Sequence, residues 1–193
     1  MLVLTACRFG FEGRPGPFDA PSFAGDSTDS VRDSVVDSVG DGAIDGLPAL
    51  CPVTYTNYSG HKYRYDTMST IWTTAQTNCL SDQVMGSSLY THLAVVGDMA
   101  EVGVIQSNFT GNGNVWIGLS DRSVDGTFVW VTTEATAGFP PATGGPWTTN
   151  EPSGNTGENC GYEGAFGFND GLCTPNFHYV CECDTSPDAP ANY

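Results

Sequence analysis

The sequence predicts an α+β domain stapled by disulfides, occupying residues 51–184 of a 193-residue chain and preceded by a segment of different composition. Three observations lead there. Six of the seven cysteines fall between Cys51 and Cys183. Within that span, two stretches carry apolar residues at helical spacing and three others are β-rich. Between Thr133 and Asn159 runs a stretch dominated by Gly, Pro, Thr and Asn. A long loop without regular structure inside a domain often carries function.

The first helix is expected over Ile71 to Val84, where Trp72, Ala75 and Cys79 recur at spacings of three and four. The second is expected over Asp98 to Gln106, with Met99, Val102 and Ile105 apolar and Asp98 placed as N-cap. Asn114 to Leu119 is apolar and β-rich. Thr127 to Thr132 alternates Phe128, Trp130 and Thr132 with Val129 and Val131. Phe177 to Cys181 forms the last strand, and residues 185–193 are read as a short polar tail. Trp72, Trp116 and Trp130 are assigned to the core, where aromatic rings supply much buried area. Trp147 is assigned to packing within the loop. His61, His92 and His178 are scattered and read as surface or hydrogen-bonded side chains.

Composition excludes several functions. The chain carries 22 acidic against 6 basic side chains, a formal net charge of −16. Nucleic acid is excluded as a partner, because phosphate contacts need clustered Lys and Arg. Docking on anionic lipid is disfavoured for the same reason. No apolar run reaches the roughly 18 residues of a spanning helix. No Gly-x-Ser-x-Gly elbow or His-Glu-x-x-His run is present. Glu151 and Glu158 as a glycosidase pair would need one raised pKa in a dry pocket, and their neighbours are polar. The expectation is a non-enzyme.

Met1 to Ala6 is almost wholly apolar and ends at Cys7. Leu4-Thr5-Ala6-Cys7 resembles the bacterial lipoprotein cleavage motif, which implies lipidation at Cys7 and a signal remnant over residues 1–7. The charged n-region and most of the apolar h-region of that pattern are missing. The alternative is an apolar terminus with a free thiol. Residues 8–50 are rich in Gly, Pro, Ser and Asp. Asp26, Asp29, Asp33, Asp37, Asp41 and Asp45 would form one like-charged helical stripe, so the segment is expected to be a disordered, self-repelling spacer. Residues 41–46 lack the alternating ligands and distal Glu of a calcium loop.

An ordered set of motifs runs through the domain. It comprises Trp72-x-x-Ala75-x-x-x-Cys79, Leu93-Ala94-Val95-Val96 with Glu101, Trp116-Ile117-Gly118-Leu119 and Gly126-Thr127-Phe128-Val129-Trp130. Glu151-Pro152-Ser153, Asn159-Cys160, Asn169-Asp170, Cys173 and Tyr179-Val180-Cys181-Glu182 complete it. Across Cys51 to Cys183 this resembles the C-type lectin-like domain. The resemblance implies a fold of two helices and two small antiparallel sheets, with a long loop region carrying the ligand site. Six cysteines allow fifteen connectivities. The resemblance implies Cys79–Cys181 and Cys160–Cys173, and pairing of the terminal strands would then bring Cys51 to Cys183. Cys181-x-Cys183 as a zinc half-site lacks a second Cys or His pair at suitable spacing.

Glu151, Ser153, Glu158, Asn169 and Asp170 are all hard oxygen donors, the ligand type calcium takes six to eight of. The resemblance implies that they hold one Ca2+, with sugar hydroxyls completing its shell and Glu151, Ser153, Glu158 and Asn169 contacting the sugar. A cis Glu151–Pro152 bond is expected. Glu151 matches mannose-type sites, but Ser153 stands where those carry Asn and galactose-type sites carry Asp. No Trp follows to stack on a galactose face, and Tyr162 and Phe166 are the candidate substitutes. Asp121, Asp125 and Asn159 resemble a second, auxiliary calcium site, against two solvated turn carboxylates. The expected function is a calcium-dependent carbohydrate-binding module, exported and displayed on a bacterial envelope through the Cys7 lipid, or otherwise secreted. Its partner would be a glycan, and the membrane would be met only through the anchor. The alternative is a calcium-independent protein-binding or adhesion domain using the same loops.

Overall fold

A computed structural model describes residues 48–154 and 156–193. Cys7, the lipidation motif and residues 8–47 of the expected spacer lie outside the described residues. Among the described residues, eight strands and two α-helices follow one another as β1 (Thr56–Tyr58), β2 (His61–Thr70), α1 (Trp72–Ser81), β3 (Tyr90–Leu93), α2 (Met99–Phe109), β4 (Val115–Ser120), β5 (Val129–Trp130), β6 (Cys160–Gly164), β7 (Gly167–Gly171) and β8 (Phe177–Asp184).

The two helices stand where their spacing places them. On α1, Trp72, Ala75 and Cys79 are buried. On α2, Val102, Ile105 and Phe109 are buried, and the Asp98 carboxylate caps the start by accepting from the backbone N–H of Ala100 and Glu101. This satisfies two of the donors that a helix N-terminus leaves unpaired.

The strands form two antiparallel groups. One orders β1, β2 and β8, with β3 also on β8; the other orders β5, β4, β6 and β7 through β4. A short parallel pairing of Val115 and Trp116 with His178 and Tyr179 joins them. β1 and β2 escape a pattern reading, because their mixed polar sequence shows no clean alternation. The Ser59-Gly60 turn, with φ of 54° and 104°, is the signal for this hairpin. β6 and β7 escape a propensity reading because glycines at 161, 164, 167 and 171 weaken it.

The Trp-Ile-Gly-Leu motif has a steric cause. A Cβ at Gly118 would stand 2.7 Å from both the Leu93 carbonyl oxygen and the Val131 side chain. Only glycine lets β4 pass this close, where Gly118 N–H donates to the Ala94 carbonyl and its own carbonyl accepts from Val131. Trp72 and Trp116 are fully buried, and each indole N–H reaches a backbone carbonyl, Ile117 and Thr70 respectively, at 2.8 Å.

Three disulfides close the domain: Cys51–Cys183, Cys79–Cys181 and Cys160–Cys173. Residues 185–193, expected as a tail, pack back on the domain. Ala189 N–H donates to Val131, Gln76 and Tyr193 both donate to Asp188, and the Tyr193 ring meets Trp72 edge to face.

Candidate functional site

Among its described residues the long loop is regular nowhere, but it is anchored. Trp147 is buried against Phe128 and Phe168, with ring centroids at 5.2 and 5.9 Å, and its indole N–H donates to the Pro141 carbonyl. This is the loop-packing role expected for it. Flanking backbone seals the anchor: Phe168 N–H donates to Pro146 and Thr148 N–H donates to Phe168. Thr148 and Glu151 are thereby held beside β7. The Glu151–Pro152 bond is cis.

Four of the five expected ligands connect. Ser153 N–H donates to Asp170 Oδ1 at 2.9 Å, and Ser153 Oγ donates to Glu158 Oε2 at 2.5 Å. The Glu151 and Asp170 carboxyls lie close enough to share a proton; burial, then that contact with Asp170, pushes Glu151 up to about 7. Two of their oxygens, Glu151 Oε2 and Asp170 Oδ2, are buried with no hydrogen-bond donor among the described residues. Paired carboxylate oxygens without donors need a proton or a cation between them. Asn169, the fifth, is adjacent along β7, and its Oδ1 accepts from Thr148 Oγ1 at 3.2 Å. The arrangement is open: Glu151, Glu158 and Asp170 do not bring three ligand atoms within 4.8 Å of one another, a distance that among the described residues is met by His61, Glu101 and Glu182. Without a central positive charge, three carboxylates repel, and Glu158 is linked to the others through Ser153.

Asp121, Asp125 and Asn159 are engaged as a turn would engage them. Asp121 Oδ2 accepts from Gly126 N–H at 2.7 Å, Asn159 Oδ1 accepts from Gly157 N–H at 3.1 Å, and Asp125 is exposed. Asp121 Oδ1 remains buried without a partner among the described residues, and burial, with Asp125 and Asp170 nearby, raises its carboxyl.

Sequence reasoning alone does not place Tyr162. Its ring lies against Gly171, the residue after Asp170; a Cβ there would meet Tyr162 Cε1 at 3.1 Å. Burial first, then the charges of Glu151, Asp170 and Glu158, push its hydroxyl up. Tyr162 is thus an aromatic wall beside the carboxylates. It also lines a small cleft of about 200 Å³ with Thr148, Phe166 and Asn169. A larger cleft of about 480 Å³, walled by Phe128, Trp130, Phe139 and Trp147, meets the site only at Pro152. Thr148, which holds Asn169, gives no sequence signal beyond its place in the loop.

The profile of the lectin C-type domain matches residues 67–183. The chain belongs to the lectin C-type domain family. It is 28% identical over 142 residues to an alpha-N-acetylgalactosamine-specific lectin of Patiria pectinifera, covering 68% of this chain and 79% of that one. It is 30% identical over 146 residues to lectin BRA-3 of Megabalanus rosa, covering 72% and 83%. Among solved structures, the C-type lectin CEL-I from Cucumaria echinata aligns with a TM-score of 0.58 at 25% identity, over 70% of this chain and 98% of that one. A calcium-independent type II antifreeze protein aligns with a TM-score of 0.55 at 22% identity, over 72% and 96%, a likeness of fold alone. The family is one of lectins rather than enzymes.

Proposed function

We propose that this chain is a calcium-dependent carbohydrate-binding module. The observation that carries the reading is the pair of buried carboxylate oxygens on Glu151 and Asp170 that have no hydrogen-bond donor among the described residues, which suits a divalent cation. Glu151, Ser153, Glu158, Asn169 and Asp170 would hold Ca2+, all through oxygen. When bound, the ion supplies open coordination positions for two neighbouring hydroxyls of a sugar. The chain's own groups do the rest. Glu151 and Glu158 accept hydroxyl protons, Asn169 offers an amide, and the Tyr162 ring offers an apolar face to the pyranose. The lectin of Patiria pectinifera names one sugar to try first, N-acetylgalactosamine, beside mannose as the partner of the Glu151 pattern.

Asp121, with a buried oxygen that has no partner among the described residues, is proposed as the seed of a second, weaker site with Asp125 and Asn159. Among the described residues no helix is long and apolar enough to cross a membrane. Export of the chain, with residues 8–50 as spacer and Cys7 as lipid anchor on a bacterial envelope, is proposed on the sequence motif. Many copies on one surface would raise a weak single-site affinity through avidity.

A second reading has its own observation. Ser153 engages Asp170 and Glu158 directly, so part of the donor set is satisfied within the loop. This suits a calcium-independent protein-binding surface. Glycan-array binding in calcium and in chelator separates the two: a signal in calcium that is lost in chelator supports the first reading, and no glycan signal in either buffer supports the second.

A further inference from the structure

Beside the loop donors lies a cleft of about 480 Å³, a volume within the range of small-molecule sites. Phe128, Trp130, Phe139 and Trp147 wall it, and Pro152 stands where it reaches the donors. We propose that this cleft receives an uncharged apolar group joined to the sugar, so that the preferred ligand is a glycolipid or another glycoside with an apolar aglycone. The inference rests on sugar binding at Glu151 and Asp170 and extends it.

The walls are formed before any ligand arrives. Trp130 indole N–H donates to the Phe139 carbonyl at 2.7 Å, and Trp147 indole N–H donates to the Pro141 carbonyl at 2.9 Å. Phe139 and Trp147 both meet Phe168 edge to face, with centroids at 6.3 and 5.9 Å, and Phe168 is fully buried. One residue of β7 therefore backs the cleft, and the next two, Asn169 and Asp170, belong to the sugar site. The loop makes the same join: Pro152 lines the cleft, and its neighbours Glu151 and Ser153 are donors. A substituent leaving a sugar held there has the cleft beside it.

The chemistry of the lining selects the substituent. Besides the two indoles, Thr136 hydroxyl donates to the Phe139 carbonyl, Thr132 Oγ1 accepts from Glu134 N–H, and the Asn192 amide donates to the Trp130 and Thr132 carbonyls. A second sugar ring would give up water at its hydroxyls against walls whose donors are already engaged. A hydrocarbon or aromatic group gives up no such partners and covers the half-exposed rings of Phe128 and Phe139. Charge narrows the choice further. Glu134, the charged residue of the lining, keeps its Oε2 buried, while Glu151, Glu158 and Asp170 belong to the adjoining site and the chain carries a net charge of −16. Fatty acids and phospholipids bring anionic heads, which this field repels. A neutral sugar head meets no such repulsion, so the apolar group is selected as part of a glycoside.

The test uses the full disulfide-bonded chain with Cys7→Ser, which carries no acyl group of its own. Methyl and octyl glycosides of mannose and of N-acetylgalactosamine are titrated calorimetrically below micelle-forming concentrations, in calcium and in chelator. For the sugar that binds, the octyl form is expected to be at least about 10-fold tighter than the methyl form, since each buried methylene is worth about fourfold and two suffice. Its binding should also show the more negative heat-capacity change that marks apolar burial, and should be lost in chelator. Thr127→Trp and Ala142→Trp, two exposed positions of the lining, each bring the octyl-to-methyl ratio toward one by filling the cleft. Phenyl glycosides separate the carriers: a larger gain for octyl supports a lipid chain, and a larger gain for phenyl supports a flat aglycone. Methyl glycoside binding with no octyl gain, or a gain that survives both tryptophan substitutions, overturns the inference and leaves sugar binding standing. Octyl binding that is equal in calcium and in chelator overturns the joining of cleft and sugar site. No binding by any of these glycosides overturns the sugar reading and this inference together.

Discussion

Glu163 on β6 is the least explained ionisable group in the core. It is fully buried opposite Val115 and Phe168, and neither carboxyl oxygen has a hydrogen-bond partner among the described residues. Burial alone pushes its pKa from 4.5 up to about 9. The folded chain therefore holds a proton there that the unfolded chain gives up near pH 4.5. A group whose folded pKa is raised contributes its full stability below the unfolded value and loses it as pH rises through the folded one. At pH 7, folding must supply that proton at a cost of about 3 kcal/mol. Glu163→Gln is nearly isosteric with the protonated acid and titrates nowhere. Its stability relative to the parent should rise by about 4 kcal/mol between pH 5 and pH 8. Urea unfolding at both pH values, with disulfides intact, reads the difference directly. An effect of Glu163→Gln that is equal at the two pH values would refute the argument and mean that the carboxylate is ionised and compensated in the fold.

Three further outcomes are expected. Asp98→Ala removes the α2 cap and should cost about 1 kcal/mol in urea unfolding, with sugar binding unchanged. Tyr162→Ala should weaken sugar binding several-fold while leaving calcium affinity within a factor of two, as measured by calorimetry with each ligand separately. Calcium affinity should begin to fall near pH 7 as pH is lowered, because the Glu151 carboxyl, held up to about 7, must lose its proton to bind. Ordinary carboxylates would delay that fall to below about pH 5; a titration of affinity against pH separates the two.

The legible parts of the fold are those where local chemistry and tertiary structure agree. Asp98 announces α2 because its carboxylate can cap only a helix start, and Gly118 marks a crossing no larger residue permits. β2 is hidden because most of its ten side chains are polar; its aromatic Tyr63 and Tyr65 alone report the sheet. Of the loop donors, the sequence order indicates which oxygens belong together, but not that Ser153 spans Asp170 and Glu158, nor that Asn169 leans on Thr148. Those contacts depend on the loop's path over Trp147. The His61 cluster joins residues 40 and 81 positions apart along the chain, and no spacing rule relates them.

Calorimetric titration of the full chain with Ca2+, alongside Glu151→Gln and Asp170→Asn, tests the central claim most directly. The account predicts saturable binding that supports sugar binding, with each substitution abolishing both together. Sugar binding that persists in both variants, or a parent chain that takes up no calcium at millimolar concentration, would contradict it.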